Sequence, residues 1–97
     1  MEIVDENQIP RNFKLFSPYP NPFNPTTTIR FTVGNADMHS LRVFDITGRL
    51  VETLVNRELQ AGEHEIVWNA GSRPSGVYFV RLESGEFDET QKVVLMK

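Results

Sequence analysis

Apolar and polar residues alternate along most of this chain, which is the period-2 pattern of strands with one buried face. In residues 26–33, Ile29, Phe31 and Val33 fall on one face, and polar residues fall on the other. Similar patterns and intervening turn signals predict the remaining strands at 41–46, 49–55, 63–68, 76–82 and from the turn at 84–86 to Lys97. A short apolar segment at 13–16 precedes them.

Two of these segments depart from simple alternation. In 41–46 the apolar phase changes halfway, which predicts a β-bulge or burial on both faces. In 49–55, Leu50 and Leu54 lie four residues apart, as on one helix face, but the β-branched residues and flanking turns favour a strand. The segments between strands, 34–37, 56–62 and 69–76, are predicted to be turns and loops.

Residues 17–25 hold four of the six prolines in the chain. Each proline fixes φ near −65° and biases its predecessor towards extended geometry. We therefore expect a rigid, non-helical corner that Tyr19 and Phe23 pin to the core. The alternative is a docking surface, because extended proline segments bind at low entropic cost.

Short strands separated by turns roughly every 8–12 residues are typical of β-sandwiches. The sequence therefore predicts an all-β fold, an immunoglobulin-like β-sandwich of about seven antiparallel strands. Trp68 closes an alternating strand on the same face as Ile66, so we expect it in the core. Residues 1–12 are acidic, polar and without periodicity, and they predict a linker before a domain at 13–97.

Charge and composition exclude several classes of function. The 97 residues carry a formal net charge of −3 without any cluster of lysine and arginine, so no nucleic-acid footprint is present. No apolar run approaches the roughly 20 residues of a membrane-spanning helix. The chain has no cysteine, which excludes disulfides, thiolate chemistry and cysteine-ligated metals.

The two histidines are the first candidates for chemistry, and neither has the partners that catalysis requires. His39 lies beside a turn and His64 lies between Glu63 and Glu65. On a strand the two glutamates face away from His64, so the triplet cannot converge on one metal ion. We interpret both histidines as partly exposed strand residues, and we predict neither catalysis nor a cofactor.

A group of acidic residues near the last turn is a weak candidate for calcium, which prefers carboxylate and carbonyl oxygens. The spacing of a calcium-binding loop is absent, so we interpret the group as a solvated turn. Its members are Glu83, Glu86, Asp88 and Glu89.

An ordered set of short motifs resembles the C-terminal sorting domain of the type IX secretion system over residues 13–97. The immunoglobulin-like domain of the flagellar hook-capping protein shares much of the same pattern. The motifs are the proline-rich 20–29, Val-Phe-Asp-Ile-Thr-Gly-Arg-Leu-Val at 43–51, Ala61-Gly62, Trp68, Ser-Gly-Val-Tyr-Phe at 75–79 and the closing 92–97.

This resemblance implies a non-catalytic address at the end of exported proteins of Bacteroidetes and related bacteria. Such a domain directs its cargo from the periplasm across the outer membrane, to the surface or the medium. The implied partners are the type IX translocon and a sortase-like peptidase, which would cleave in the linker. No insertion of the domain into the membrane is expected.

Asp45-Ile46-Thr47-Gly48 has a turn-favouring acid first and glycine last, and it predicts a hairpin corner. We expect the recognised surface to combine this corner with the last strand, whose backbone could accept a partner strand at a sheet edge. The candidate residues are Asp45, Gly48, Arg49, Lys92, Val93, Val94, Leu95, Met96 and Lys97. The same residues have a purely structural interpretation as core, turn and solvated positions. Removal of the last five residues is expected to abolish export without unfolding the domain.

Three alternatives stay open. The chain could be a carbohydrate- or protein-binding accessory module of a surface enzyme, for which an exposed row of aromatic residues would be needed. It could also be a structural spacer. An exposed edge strand would further allow two copies to form a homodimer.

Overall fold

The computed structural model describes residues 13–35, 37–85 and 87–97, and the predicted linker at 1–12 lies outside them. The described residues form seven strands. They are β1 (Lys14–Leu15), β2 (Thr26–Val33), β3 (Asp37–Asp45), β4 (Leu50–Leu59), β5 (Gly62–Asn69), β6 (Gly76–Ser84) and β7 (Phe87–Leu95). None of the described segments is a helix long and apolar enough to cross a membrane.

The strands form two antiparallel sheets that pack face to face. One sheet has the order β1-β2-β5, and the other has the order β4-β3-β6-β7. Alternate residues of both sheets point inwards and close a single apolar core. The predicted immunoglobulin-like β-sandwich is confirmed.

The two largest errors in the predicted strand boundaries both lie where β3 pairs with β4. β3 begins at Asp37 rather than at residue 41, and β4 continues to Leu59 through residues predicted to be a loop. β4 is the outermost strand of its sheet, so the side chains of 56–58 are exposed and lack an apolar pattern. The predicted bulge is confirmed, because the pairing register shifts at Leu41/Arg42 and Val43/Phe44.

Trp68 lies at the centre of the core, as predicted, with no exposed surface. Its ring contacts Phe23 at 5.3 Å and meets Tyr78 edge-on at 5.6 Å between centroids. Phe23 therefore pins the proline-rich segment to the core, but Tyr19 does not, since its side chain is 79% exposed. Tyr19 is instead anchored through its backbone, which exchanges two 3.0 Å hydrogen bonds with Thr28.

Candidate recognition surface

The hairpin corner between β3 and β4 is organised by the carboxylate of Asp45. Its Oδ1 accepts hydrogen bonds from Thr47 Oγ1 (2.6 Å), Thr47 N (2.9 Å) and Arg49 N (3.1 Å). Asp45 N donates to Arg49 O, and Gly48 N donates to Asp45 O, both at 2.9 Å. Gly48 has a φ of +87°, in the left-handed region that favours glycine. The predicted corner is therefore a turn of fixed shape.

These hydrogen bonds stabilise the ionised form of Asp45. The hydroxyl of Thr47 and then the amide of Arg49 hold the pKa of the carboxyl below its ordinary value, and the Arg49 charge adds to the effect. Arg49 Nε lies 3.4 Å from Asp45 Oδ2, while its side chain remains 80% exposed. Ile46, inside the turn, is also exposed. The corner thus presents one apolar and one cationic side chain to solvent.

The last strand reaches the same end of the sandwich as this corner. Asp45 is the register partner of Tyr78, and Tyr78 is the partner of Val93, so the three lie in one row across β3, β6 and β7. Strands separated by one neighbour lie about 10 Å apart. Lys97 lies at this end too, where its N–H donates to Ser75 Oγ at 3.0 Å. We call residues 45–49 and 92–97 together the corner end.

The predicted recognition residues of the last strand divide into two groups. Val93 and Leu95 are fully buried, so their side chains pack in the core and are closed to a partner. Lys92, Met96 and Lys97 are exposed, and Val94 is half-buried. At 92–97, side-chain recognition is therefore limited to the second group.

The C-terminal half of the outer edge of β7 is covered by residues 19–23, which we call the strap. The Asn21 amide bridges two residues of the strand, because Nδ2 donates to Lys92 O at 3.1 Å and Oδ1 accepts from Val94 N at 3.0 Å. Phe23 N donates to Val94 O at 2.9 Å, and Phe23 O accepts from Met96 N at 3.0 Å. β7 is an edge strand of its sheet, but these backbone groups are already paired.

Two of the acidic residues near the β6–β7 turn, Glu83 and Asp88, are paired with arginines rather than simply solvated. Arg81 Nη2 lies 3.3 Å from Glu83 Oε2 and 3.4 Å from Asp88 Oδ2. Glu83 Oε1 also accepts a 2.8 Å hydrogen bond from Arg42 Nη1. Glu86 lies outside the described residues. Within the described part of the chain, no three histidine or acidic side chains are grouped as ligands for a metal ion.

The two histidines differ in environment. His39 is only 2% exposed, with Nε2 3.2 Å from Asn35 O, so the prediction of partial exposure is wrong for this residue. It extends the inward-facing row of Leu41 on β3, a continuation that the late predicted start of the strand concealed. His64 is half-buried, as predicted, and stacks on Phe31 with centroids 5.4 Å apart.

Comparison with known proteins decides the family. Residues 17–96 match the family described as the secretion system C-terminal sorting domain. The chain belongs to this family. It is a sorting domain of type IX secretion. The family of sorting domains is not catalytic. A sorting domain of this kind implies secretion to the cell surface or to the exterior. No curated protein matches the chain by sequence.

The sorting domain is similar in structure to parts of two larger proteins of Porphyromonas gingivalis. PorZ, an essential bacterial surface component of the type IX secretion system, is 26% identical over 88% of this chain, with a TM-score of 0.56. Dimeric latent PorU is 19% identical over 87% of the chain, with a TM-score of 0.63. The chain spans only 11% and 9% of those proteins' lengths.

Two features of the corner end are not among the predictions: the exposed side chain of Ile46 and the contacts of the strap. The sequence places Ile46 both at the end of the predicted strand 41–46 and in the predicted corner 45–48, and only the position in the turn, which leaves the side chain no face to bury, indicates that it is exposed. The strap contacts have no local signal, because Asn21 and its partner Lys92 are 71 residues apart in the chain.

Proposed function

We propose that the type IX machinery recognises the sorting domain at the corner end, through the side chains of Ile46, Arg49, Met96 and Lys97. The observation that supports this is the exposure of two large apolar side chains, 70% for Ile46 and 57% for Met96, at the end that also carries the cations Arg49 and Lys97. Singly exposed apolar residues are common, but a set rimmed by charge at one end is typical of a binding surface.

The chemistry of the four side chains defines the partner surface. Ile46 and Met96 would enter apolar pockets, which supply most of the affinity of an interface. Arg49 and Lys97 would face carboxylates, which steer the encounter and set the orientation. Asp45 and Gly48 act indirectly, because they hold the turn that presents Ile46 and Arg49.

In this proposal the partner contacts side chains, whereas the sequence predicted that it would pair with the backbone of the last strand. A partner strand at Lys92–Met96 would have to displace Asn21 and Phe23, and the ring of Phe23 lies in the core. The same obstacle applies to a homodimer that pairs two copies of β7. The exposed Lys92 side chain extends the proposed surface along the strand.

In this proposal the domain accompanies a cargo protein from the periplasm across the outer membrane. Residues 13–97 fold as the address, and a sortase-like peptidase cleaves in the linker around Asp5 to Arg11. A carbohydrate-binding accessory role is less well supported, because it needs exposed aromatic rings in a row. Trp68 and Tyr78 are instead buried in the core.

The test is export of a fluorescent protein that carries a periplasmic signal and residues 1–97 at its C-terminus, in a bacterium with a type IX system. We expect fluorescence in the medium or on the surface, lost in a translocon mutant. Ile46→Ser combined with Arg49→Glu is expected to leave the folded fusion in the periplasm. Export of this double variant at the normal level would refute the corner end as the recognised surface.

Controls must separate recognition from folding. Arg57→Glu changes an exposed cation on β4, away from the corner end, and is expected to export normally. Deletion of the last five residues cannot serve, because it removes Val93 and Leu95 from the core. The expectation that such a truncated domain stays folded is therefore not supported, and substitutions of exposed side chains are the sharper test.

A further inference from the structure

The outer edge of β5 is a regular strand edge with unpaired backbone groups. Thr28 exchanges both backbone hydrogen bonds with Tyr19, so its N–H and C=O point away from β5. Val67 is the register partner of Thr28, and in an antiparallel ladder the two residues of such a pair both point their backbone groups outwards. Successive residues of a strand point their backbone groups to opposite edges, so the N–H and C=O groups of Glu63, Glu65 and Val67 all lie along the free edge.

A hydrogen bond beyond the end of β5 also shows which of its backbone groups point outwards. Ala70 N donates to Pro25 O at 2.8 Å, which makes the pair of residues 25 and 70 hydrogen-bonded. Counting in steps of two along the ladder, residues 68, 66 and 64 face β2, and 67, 65 and 63 face outwards. The β2–β5 register runs without a shift over all eight residues of β5. The edge is therefore straight enough to accept another strand.

Each of the other sheet edges in the described part of the chain is short, or is interrupted or covered over part of its length. The strap pairs with β7, and β1 is only two residues long. β4 carries two register shifts against β3, and Arg73 Nη2 donates to Val51 O at 2.8 Å. Bulges, short strands and covering segments are the usual means of blocking strand addition. β5 has none of them.

Side-chain charge on β5 selects what this edge can bind. Glu63 and Glu65 are exposed, and neither forms an ion pair with another described residue. Arg30, the cross-strand neighbour of Glu65, lies over the ring of Phe16 at 4.9 Å instead. Val67 is 64% exposed on the same face as the two glutamates. Two copies of such an edge would bring like charges together, which disfavours self-pairing.

We propose that the outer edge of β5 binds an extended segment of a partner protein that carries lysine or arginine at alternate positions. Backbone hydrogen bonds to Glu63, Glu65 and Val67 supply the attachment, and the two carboxylates select basic residues across from them. An apolar residue of the partner segment opposite Val67 would pack against its exposed side chain. This surface is separate from the corner end, so either proposal can fail without the other.

The test uses the whole chain and blocked peptides as long as β5, of alternating lysine and valine or alternating glutamate and valine. Backbone NMR shifts and amide exchange are followed at millimolar peptide. We expect the lysine peptide to protect the amides of Glu63, Glu65 and Val67, and to bind about tenfold more tightly than the glutamate peptide. Glu63→Lys combined with Glu65→Lys is expected to reverse the preference.

Glu58→Lys, the same substitution made on the exposed part of β4, is the control and should leave the preference unchanged. Val67→Pro removes one outward N–H and is expected to weaken binding of the lysine peptide, because proline is tolerated on edges but cannot donate. No binding of the lysine peptide, protection elsewhere in the domain, or an unreversed preference would overturn the proposal. Self-association of the free domain through these amides would overturn it too, by identifying a second copy as the occupant.

Discussion

Asn21 binds Val94 as a neighbouring strand would, with its side-chain Oδ1 accepting the Val94 N–H at 3.0 Å. The other end of the same amide donates to the carbonyl of Lys92, so one side chain replaces a stretch of partner backbone. Phe23 continues the pairing with its own main chain. The last strand is consequently held on both sides, although it is the terminal strand of its sheet.

Asn21→Ala is the direct test of this arrangement. The substitution removes two hydrogen bonds at an exposed site, and we expect the free energy of unfolding in urea to fall by about 1 kcal/mol. Amide exchange at Val94 should accelerate more than at the inner strand β6. Asn24→Ala is the matched control, because Asn24 is exposed and forms no hydrogen bond with another described residue. Equal effects of the two variants would contradict the role assigned to Asn21.

Phe23 and Tyr19 lie in the same segment and are predicted to respond very differently to truncation. Phe23→Ala removes a ring that packs against Trp68, and we expect a loss of about 3–5 kcal/mol. Tyr19→Ala removes a ring that is largely exposed, and the change should stay within about 0.5 kcal/mol. Urea unfolding followed by the fluorescence of the single tryptophan measures both. A large loss for Tyr19→Ala would show that its ring, and not only its backbone, anchors the strap.

The fold was predictable because most strands follow the period-2 pattern, as β2 does with Ile29 and Phe31 inward. The pattern fails where a strand is exposed on both sides, as at the end of β4, since Asn56 and Arg57 have no buried face to mark. The candidate site was predictable in part. Local turn chemistry indicates the corner at Asp45, whereas the strap depends on contacts between distant parts of the chain.

Glu52 supplies the only acceptor found in the described residues for the buried indole N–H of Trp68, at 2.9 Å. Glu52→Ala leaves that donor without a partner, and we expect a loss of about 1–3 kcal/mol. Glu52→Gln keeps an acceptor oxygen and should lose less. Glu58→Ala, an exposed glutamate on the same strand, is the control and should change stability by less than about 0.5 kcal/mol. Similar losses for Glu52→Ala and Glu52→Gln would point instead to the ion pair between Glu52 and Arg73.

The depressed pKa of Asp45 predicts how stability depends on acid. A carboxyl whose pKa is lower in the folded state stabilises the fold when ionised. Its contribution is fully present well above the ordinary aspartate pKa of about 3.9, and it is lost as the pH falls through the lower folded value. Asp45→Asn cannot ionise, so its free energy of unfolding should fall less steeply than that of the unmodified chain as the pH is lowered into this range.

The cause of the lowered Asp45 pKa can be tested separately with Thr47→Val, which removes the hydroxyl that contributes most to lowering it. The pKa of Asp45, followed by NMR titration of its side-chain carbon, should rise towards its ordinary value in this variant. The acid dependence of unfolding should then lie between those of the unmodified chain and Asp45→Asn. An unchanged Asp45 pKa would mean that the backbone amides of the turn suffice to hold the carboxylate. In that case the turn geometry that Gly48 permits, rather than the Thr47 hydroxyl, would be the feature that presents Arg49 at the corner end.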